Sequence, residues 1–197
     1  WKEIIRTTLE LIESTLETEY NLEDIELIVE SKLSTYNSIN LSEILFDEIL
    51  PNLNFSSING EITLTSLGNS ISSRLAVILE ESETPLHYSE ARKLYEEKFD
   101  VCKTERSIHA ALSLGDFLLF DRGIFGVERH LPVTLEKLQE IAQLAASIAN
   151  SDNQRQWHSS ELLEKVYDVG GASELPNFDK YVLNIGLKKY SDLKNLG

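Results

Sequence analysis

Leu86-His87-Tyr88-Ser89-Glu90 returns 71 positions later as Trp157-His158-Ser159-Ser160-Glu161. Each copy follows a stretch with helically spaced apolar residues and opens another such stretch. A second apolar-striped helix comes next in both cases: Ser107-Ile108-His109-Ala110-Ala111-Leu112, then Val182-Leu183-Asn184-Ile185-Gly186-Leu187. Beyond the first copy, Phe117-Leu118-Leu119-Phe120 and Gly123-Ile124-Phe125-Gly126-Val127 read as a hairpin turning at Asp121-Arg122. The order is helix, short strand, helix, helix, hairpin. Its repetition indicates a duplicated module rather than an active site.

That order is the order of a winged helix. The expected fold is mainly α with small β-hairpins, built as tandem winged-helix modules. Residues 69–131 form one module and 132–197 another, the latter truncated before its wing. Residues 1–68 read as an acidic helical segment with a hairpin, a degenerate version of the same module. Its helices are expected over 2–19, Leu22–Leu33 capped by Asn21, and Leu41–Leu50 capped by Asn40 and followed by Pro51. Its hairpin sits around Asn59-Gly60, where both central residues tolerate positive φ.

Further on, a helix starts at Asn69 or Ser70 and runs to about Glu81. Pro85 then favours an extended approach into a strand at Leu86–Tyr88. Ser89 is the expected cap of a helix to about Phe99, with Ala91, Leu94 and Tyr95 inward, and Thr104 caps the next to about Leu114. Thr134 starts a helix to about Ile148. A strand at Trp157-His158, a helix Ser160–Tyr167, a break at Gly170-Gly171 and a helix Asn177–Tyr190 complete the pattern.

The 197 residues carry a net charge of −15. Residues 1–73 hold 13 acidic and 3 basic groups, 74–131 hold 11 and 8, and 132–197 hold 9 and 7. Because nucleic-acid affinity comes largely from Lys and Arg neutralising phosphates, the first third is unsuited to lie on DNA. No run of 18 apolar residues is present, so no membrane span is expected. No signal-peptide pattern occurs. The single cysteine, Cys102, forms no internal disulfide. A cytoplasmic setting, with association to the nucleoid, is the expectation. The start at Trp1 and the lack of methionine predict a fragment of a longer chain.

Thr84-Pro85-Leu86-His87-Tyr88-Ser89-Glu90, the helix around Ile108, and the wing Arg122-Gly123-Ile124-Phe125-Gly126-Val127 together resemble a HARE-type winged helix. That family includes the N-terminal domain of the bacterial RNA polymerase delta subunit and appendages of restriction enzymes and chromatin factors. The resemblance spans residues 70–128. Residues 132–197 resemble a diverged copy of the kind found beside bacterial sigma-factor-like helix-turn-helix proteins. It implies double-stranded DNA binding or contact with the transcription or defence machinery. A protein partner such as RNA polymerase or a defence complex would be met by the acidic segment 1–68.

In such modules the third helix enters the major groove and the wing touches the backbone. The candidate nucleic-acid-binding residues are therefore Lys103, Arg106, Ser107, His109 and Arg122 in the second module. In the third they are Lys180, Asn184 and Lys188, with Lys194 beyond them. Asp116 and Asp121 beside the wing argue against tight binding. The alternative is a protein-interaction scaffold whose winged helices do not bind DNA, and an acidic DNA mimic is a third reading. The repeated His87 and His158 read as structural, and the Ser-Glu pairs read as helix caps. Trp157, Phe117, Phe120, Phe125, Tyr95 and Tyr88 are expected in the core. The nine glycines form no phosphate-binding fingerprint. No catalytic residue, metal site or cofactor is expected, and the chain does not read as an enzyme.

Overall fold

A computed structural model describes residues 45–151, 156–170 and 175–193, together with positions 5, 6, 8–10, 12, 27, 28 and 31. The chain is mainly α-helical with small antiparallel hairpins. Its contacts gather it into two compact units, Trp1–Phe117 and Leu118–Gly197. The division runs inside residues 69–131, at the start of the second hairpin.

In the first unit, positions 5, 6, 8–10, 12, 27, 28 and 31 are helical; the rest of the expected helices 2–19 and 22–33 lies outside the described residues. Leu45–Ile49 is a π-helical turn and Leu50–Asn52 a 3-10 turn. The expected helix Leu41–Leu50 is corrected accordingly, with Asn40 and 41–44 outside the described residues. Pro51 lies inside the 3-10 turn rather than beyond a helix end, because a first-turn residue needs no N–H partner.

Strands β1 (Leu53–Ile58) and β2 (Glu61–Leu67) pair antiparallel around Asn59-Gly60. Asn59 has φ 53° and Gly60 φ 86°, the pair of left-handed residues a tight hairpin with right-handed twist requires. The ladder shifts register between Asn54 and Phe55. There the buried Asn54 amide donates to the Gly68 carbonyl at 2.7 Å. Ile12, Ile49, Leu53 and Leu64 form the core beneath this hairpin.

Helix α1 (Ile71–Glu81) packs on both strands. Ser70 caps it, accepting from Ser73 N at 3.0 Å. Leu75, Ile78 and Leu79, at i, i+3 and i+4, make its buried stripe. The short strand β3 (Leu86–His87) leads into α2 (Tyr88–Phe99), which buries Ala91 and Tyr95 against α1 and against α3 (Glu105–Leu114). Tyr95 is 1 % exposed and stacks obliquely on Phe99. Leu94, expected inward, is 40 % exposed. It sits one residue before Tyr95, about 100° round the helix, so the Ala91–Tyr95 stripe turns it outward over a shallow groove with Ile78. Thr104 caps α3, accepting from Ser107 N at 3.2 Å, and Ile108 and Leu112 face inward.

In the second unit, β4 (Leu118–Asp121) and β5 (Ile124–Gly126) form an antiparallel hairpin. Its turn is Arg122-Gly123 rather than Asp121-Arg122. Gly123 at φ 76° takes the left-handed position, and Asp121 stays in the strand. A 3-10 turn Glu128–His130 follows, then α4 (Leu135–Ser151), α5 (Ser159–Asp168) and α6 (Lys180–Tyr190). Leu138, Ile141, Ala145, Leu162, Val166, Val182 and Leu183 form one core shared by the three helices. Gly186 lets α6 approach α4: a Cβ there would lie 2.9 Å from Leu138 Cδ1 and 3.3 Å from Ala142 Cβ.

Other boundaries differ from the sequence reading: the strand expected over Leu86–Tyr88 ends at His87, because Tyr88 is already the first helical residue after the His87 cap. Helix α4 continues to Ser151, because the 3.6-residue stripe extends through a buried Ala149. Asn177 is not helical: its φ is 63°, and Asp179 caps α6 by accepting from Tyr181 N and Val182 N, each at 2.9 Å. Trp157-His158 forms no strand. A strand needs a neighbour to complete its backbone hydrogen bonds, and His158 instead uses its extended conformation (φ −77°, ψ 138°) to start α5.

Candidate nucleic-acid interface

The repeated pentapeptide builds the same device twice. His87 is the N-cap of α2, and its Nδ1 accepts from Ser89 N at 3.4 Å. Glu90 closes the box, its Oε2 accepting from His87 N at 3.3 Å. His158 caps α5 in the same way, with Ser160 N on Nδ1 at 3.3 Å and His158 N on Glu161 Oε2 at 3.2 Å. The cap is therefore the histidine and not Ser89 or Ser160, which stand in the first turn. An imidazole with a free Nδ1 lone pair does what a Ser or Asp oxygen does at this position.

Helix α3 carries four of the candidate residues at or before its first turns. Arg106 and His109 are exposed, and Lys103 and Ser107 are half-buried. Ser107 is engaged in the cap, its hydroxyl 2.9 Å from Thr104 Oγ1, which limits it as a reader of base edges. The His109 ring meets Tyr88 edge-on at 5.1 Å. Arg106, His109, Ala110 and Ser113 follow each other at helical spacing on the outward face of α3, all exposed. Leu114 ends that helix 88 % exposed. One arginine is thus the whole permanent positive charge of the face. Cys102, just ahead, is exposed and unpaired.

In the second unit Arg122 occupies the hairpin turn, exposed, its N–H donating to Asp121 Oδ1 at 2.7 Å. Strand β4 packs against α6, so Arg122 and Lys180 share one neighbourhood. The link is Tyr181, which hydrogen-bonds the Asp121 side chain. Burial first, then that hydrogen bond and the Asp121 charge, raise the Tyr181 hydroxyl above the usual tyrosine value, while Arg122 acts in the opposite sense. Lys180 lies over the Tyr181 ring, Nζ 5.2 Å from its centroid. Lys180 and Asn184 are half-buried and Lys188 is exposed; they sit at i, i+4 and i+8 along α6, a line about 12 Å long. Lys189 is drawn away from that line onto Glu128, whose hydrogen bond raises the Lys189 ammonium above its usual value. Lys194 lies outside the described residues.

Arg122 and Lys180 thus both stand near Tyr181, on whose hydroxyl the Asp121 and Asp179 carboxylates also act. No spacing in the sequence signals the Asp121–Tyr181 contact, since 60 residues separate the partners. The expected core aromatics divide: Tyr95 and Phe125 are buried, whereas Trp157, Phe117, Phe120 and Tyr88 are half-buried. Phe125 therefore offers no exposed stacking surface on the wing. Among the described residues, no group of three or more His, Cys, Asp or Glu is placed to hold a metal ion. No helix among them is long and apolar enough to cross a membrane. Comparison with family models, with curated proteins and with solved structures returned no match of any kind.

Proposed function

We propose that this chain is a tandem winged-helix protein, of the HARE-like kind its motifs resemble, that works by docking on the transcription or defence machinery of a bacterium. The observation that carries this reading is the outward face of α3. Arg106, His109, Ala110, Ser113 and the protruding Leu114 give it a small, weakly charged, partly apolar character. Protein interfaces favour such faces, with charge depleted at the centre and Arg retained. Duplex-binding faces concentrate cations instead. The net charge of −15 supports the same choice, because the acidic residues 1–73 would repel a phosphate backbone and suit a basic protein partner.

The test is binding of the full chain to immobilised, purified bacterial RNA polymerase, beside anisotropy titration of labelled duplex DNA at low salt. Binding to polymerase that Leu114→Asp abolishes, with duplex affinity no better than millimolar, is the expected result. Submicromolar duplex binding and no polymerase binding would overturn it.

A second reading, direct contact with DNA, draws on Arg106 at the start of α3, which no carboxylate pairs among the described residues, and on exposed Arg122 and Lys188. It requires that Arg106→Ala plus Arg122→Ala weaken duplex binding across all sequences, as phosphate contacts do.

A further inference from the structure

The groove over which Leu94 is turned outward takes no part in docking through α3. Helix α1 and the residue that caps its end lend it Ile78, Glu81 and Ser82, and α2 lends it Leu94, Glu97 and Lys98. Each wall thus repeats one pattern at i, i+3 and i+4, with an aliphatic side chain one turn from a carboxylate. We propose that this groove is a second docking site, which takes an apolar side chain of a protein partner flanked there by lysines or arginines. None of its residues belongs to the outward face of α3, so the two sites can be tested apart.

The apolar half of the site is Leu94 above Ile78. Ala91 and Tyr95 hold the inward side of α2, which leaves Leu94 40 % exposed, while Ile78 is 3 % exposed beneath it. The groove is shallow and holds about 350 Å³. That is the low end of the range for small-molecule pockets, which enclose their ligand. An open groove of this size suits a single anchoring side chain, the usual centre of a protein contact.

The charged half selects the partner. Lys98 Nζ stands 2.5 Å from both Glu81 oxygens, and Glu81 Oε1 also accepts from Ser57 N at 3.0 Å. The one cation of the groove is therefore committed to Glu81. Glu97 is exposed and forms no ion pair or side-chain hydrogen bond among the described residues. The last turns of both helices line the groove, and helix C-termini favour cations. The last turn of α1 has no basic residue of its own. Carboxylate and helix ends together present negative potential around an apolar floor, which a basic segment complements. A second copy of this chain carries a net charge of −15 itself, so complementarity favours a partner of opposite sign.

The experiment is amide NMR of the isotope-labelled full chain, titrated with two synthetic peptides of equal positive charge. One carries a leucine flanked by lysines, and in the other asparagine replaces the leucine. The leucine peptide should move the Ile78, Ser82, Leu94 and Glu97 amides together and saturate with a Kd below about 1 mM. Leu94→Gln and Glu97→Lys should each weaken it about tenfold, and Leu114→Asp should leave it unchanged. Equal binding of the asparagine peptide overturns the proposal, as do shifts spread over acidic residues elsewhere or an unchanged affinity in Leu94→Gln. Absence of saturation below about 1 mM overturns it too. Should Leu94→Gln melt below the parent chain, Glu97→Lys decides.

Discussion

Glu90 Oε2 accepts the backbone N–H of His87 at 3.3 Å, and the imidazole of His87 accepts in return from the first turn of the same helix. The relationship recurs between Glu161 and His158. Two orphan donors of each helix start are satisfied by two side chains three residues apart, the logic of a capping box with imidazole in the place of a hydroxyl. Replacing Glu161 by Ala should cost about 0.5–2 kcal/mol, and Glu90→Ala a similar amount. Urea denaturation followed by circular dichroism measures both. His158→Ser, which retains a cap oxygen, should lose less than His158→Ala.

Gly186 answers a different demand. It sits on the buried face of α6, and a methyl group there would approach Leu138 Cγ to 3.1 Å and its Cδ1 to 2.9 Å. Leu138 is fully buried in the same core, with little room to move aside. Gly186→Val should therefore destabilise the second unit by about 1–3 kcal/mol through overpacking. Gly186→Ala should cost less, since the gain in helix propensity, about 1 kcal/mol, offsets part of the strain. A thermal melt that places the Val variant at or above the parent would show that α4 and α6 separate more freely than their packing implies.

Tyr181 should report the hairpin–helix contact. Burial and the Asp121 hydrogen bond raise its hydroxyl above the ordinary tyrosine value. A group raised on folding contributes stability that is complete below its unfolded value, about 10, and is lost as pH rises through the folded value. Ultraviolet difference spectra should show one of the tyrosines ionising late. Asp121→Asn should bring that transition down, since the charge contribution goes with the carboxylate. Tyr181→Phe should remove the late transition and flatten the alkaline loss of stability.

How far the sequence can be read depends on the range of the interaction. Asn59-Gly60, Ser70 and Thr104 act on neighbours within four residues, and their hairpin and caps stand where the pattern places them. The echoed His-x-Ser-Glu segment marks two helix starts for the same reason. Which atom does the capping is less legible, because Ser89 is the commoner cap and only the extended backbone of His87 brings Nδ1 to the amide. The strand expected at Trp157-His158 fails because strand formation depends on a partner elsewhere in the chain. The candidate interface follows the same division. That Arg106 and His109 share a face is helical arithmetic, visible in their spacing of three. That Ser107 is committed to Thr104, and Lys189 to Glu128 61 residues away, depends on geometry that periodicity does not carry.

The slope of affinity against salt separates the two functional readings more sharply than affinity itself. Each phosphate neutralised contributes about 0.9 to the slope of log K against log salt on duplex DNA. Arg106 is the one permanent cation on the outward face of α3, with Lys103 half-buried before it. A duplex seated there should show a shallow slope, about −1 to −2, and Arg106→Ala should reduce it by about 1. Docking on a protein should instead respond weakly to salt and strongly to the apolar end of the face, so Leu114→Asp should abolish it while Arg106→Lys leaves most of it. A slope near −5 in the parent chain would mean that cations beyond α3, such as Arg122 and the Lys180–Lys188 line, lie on the duplex as well. The docking reading would then give way to DNA binding.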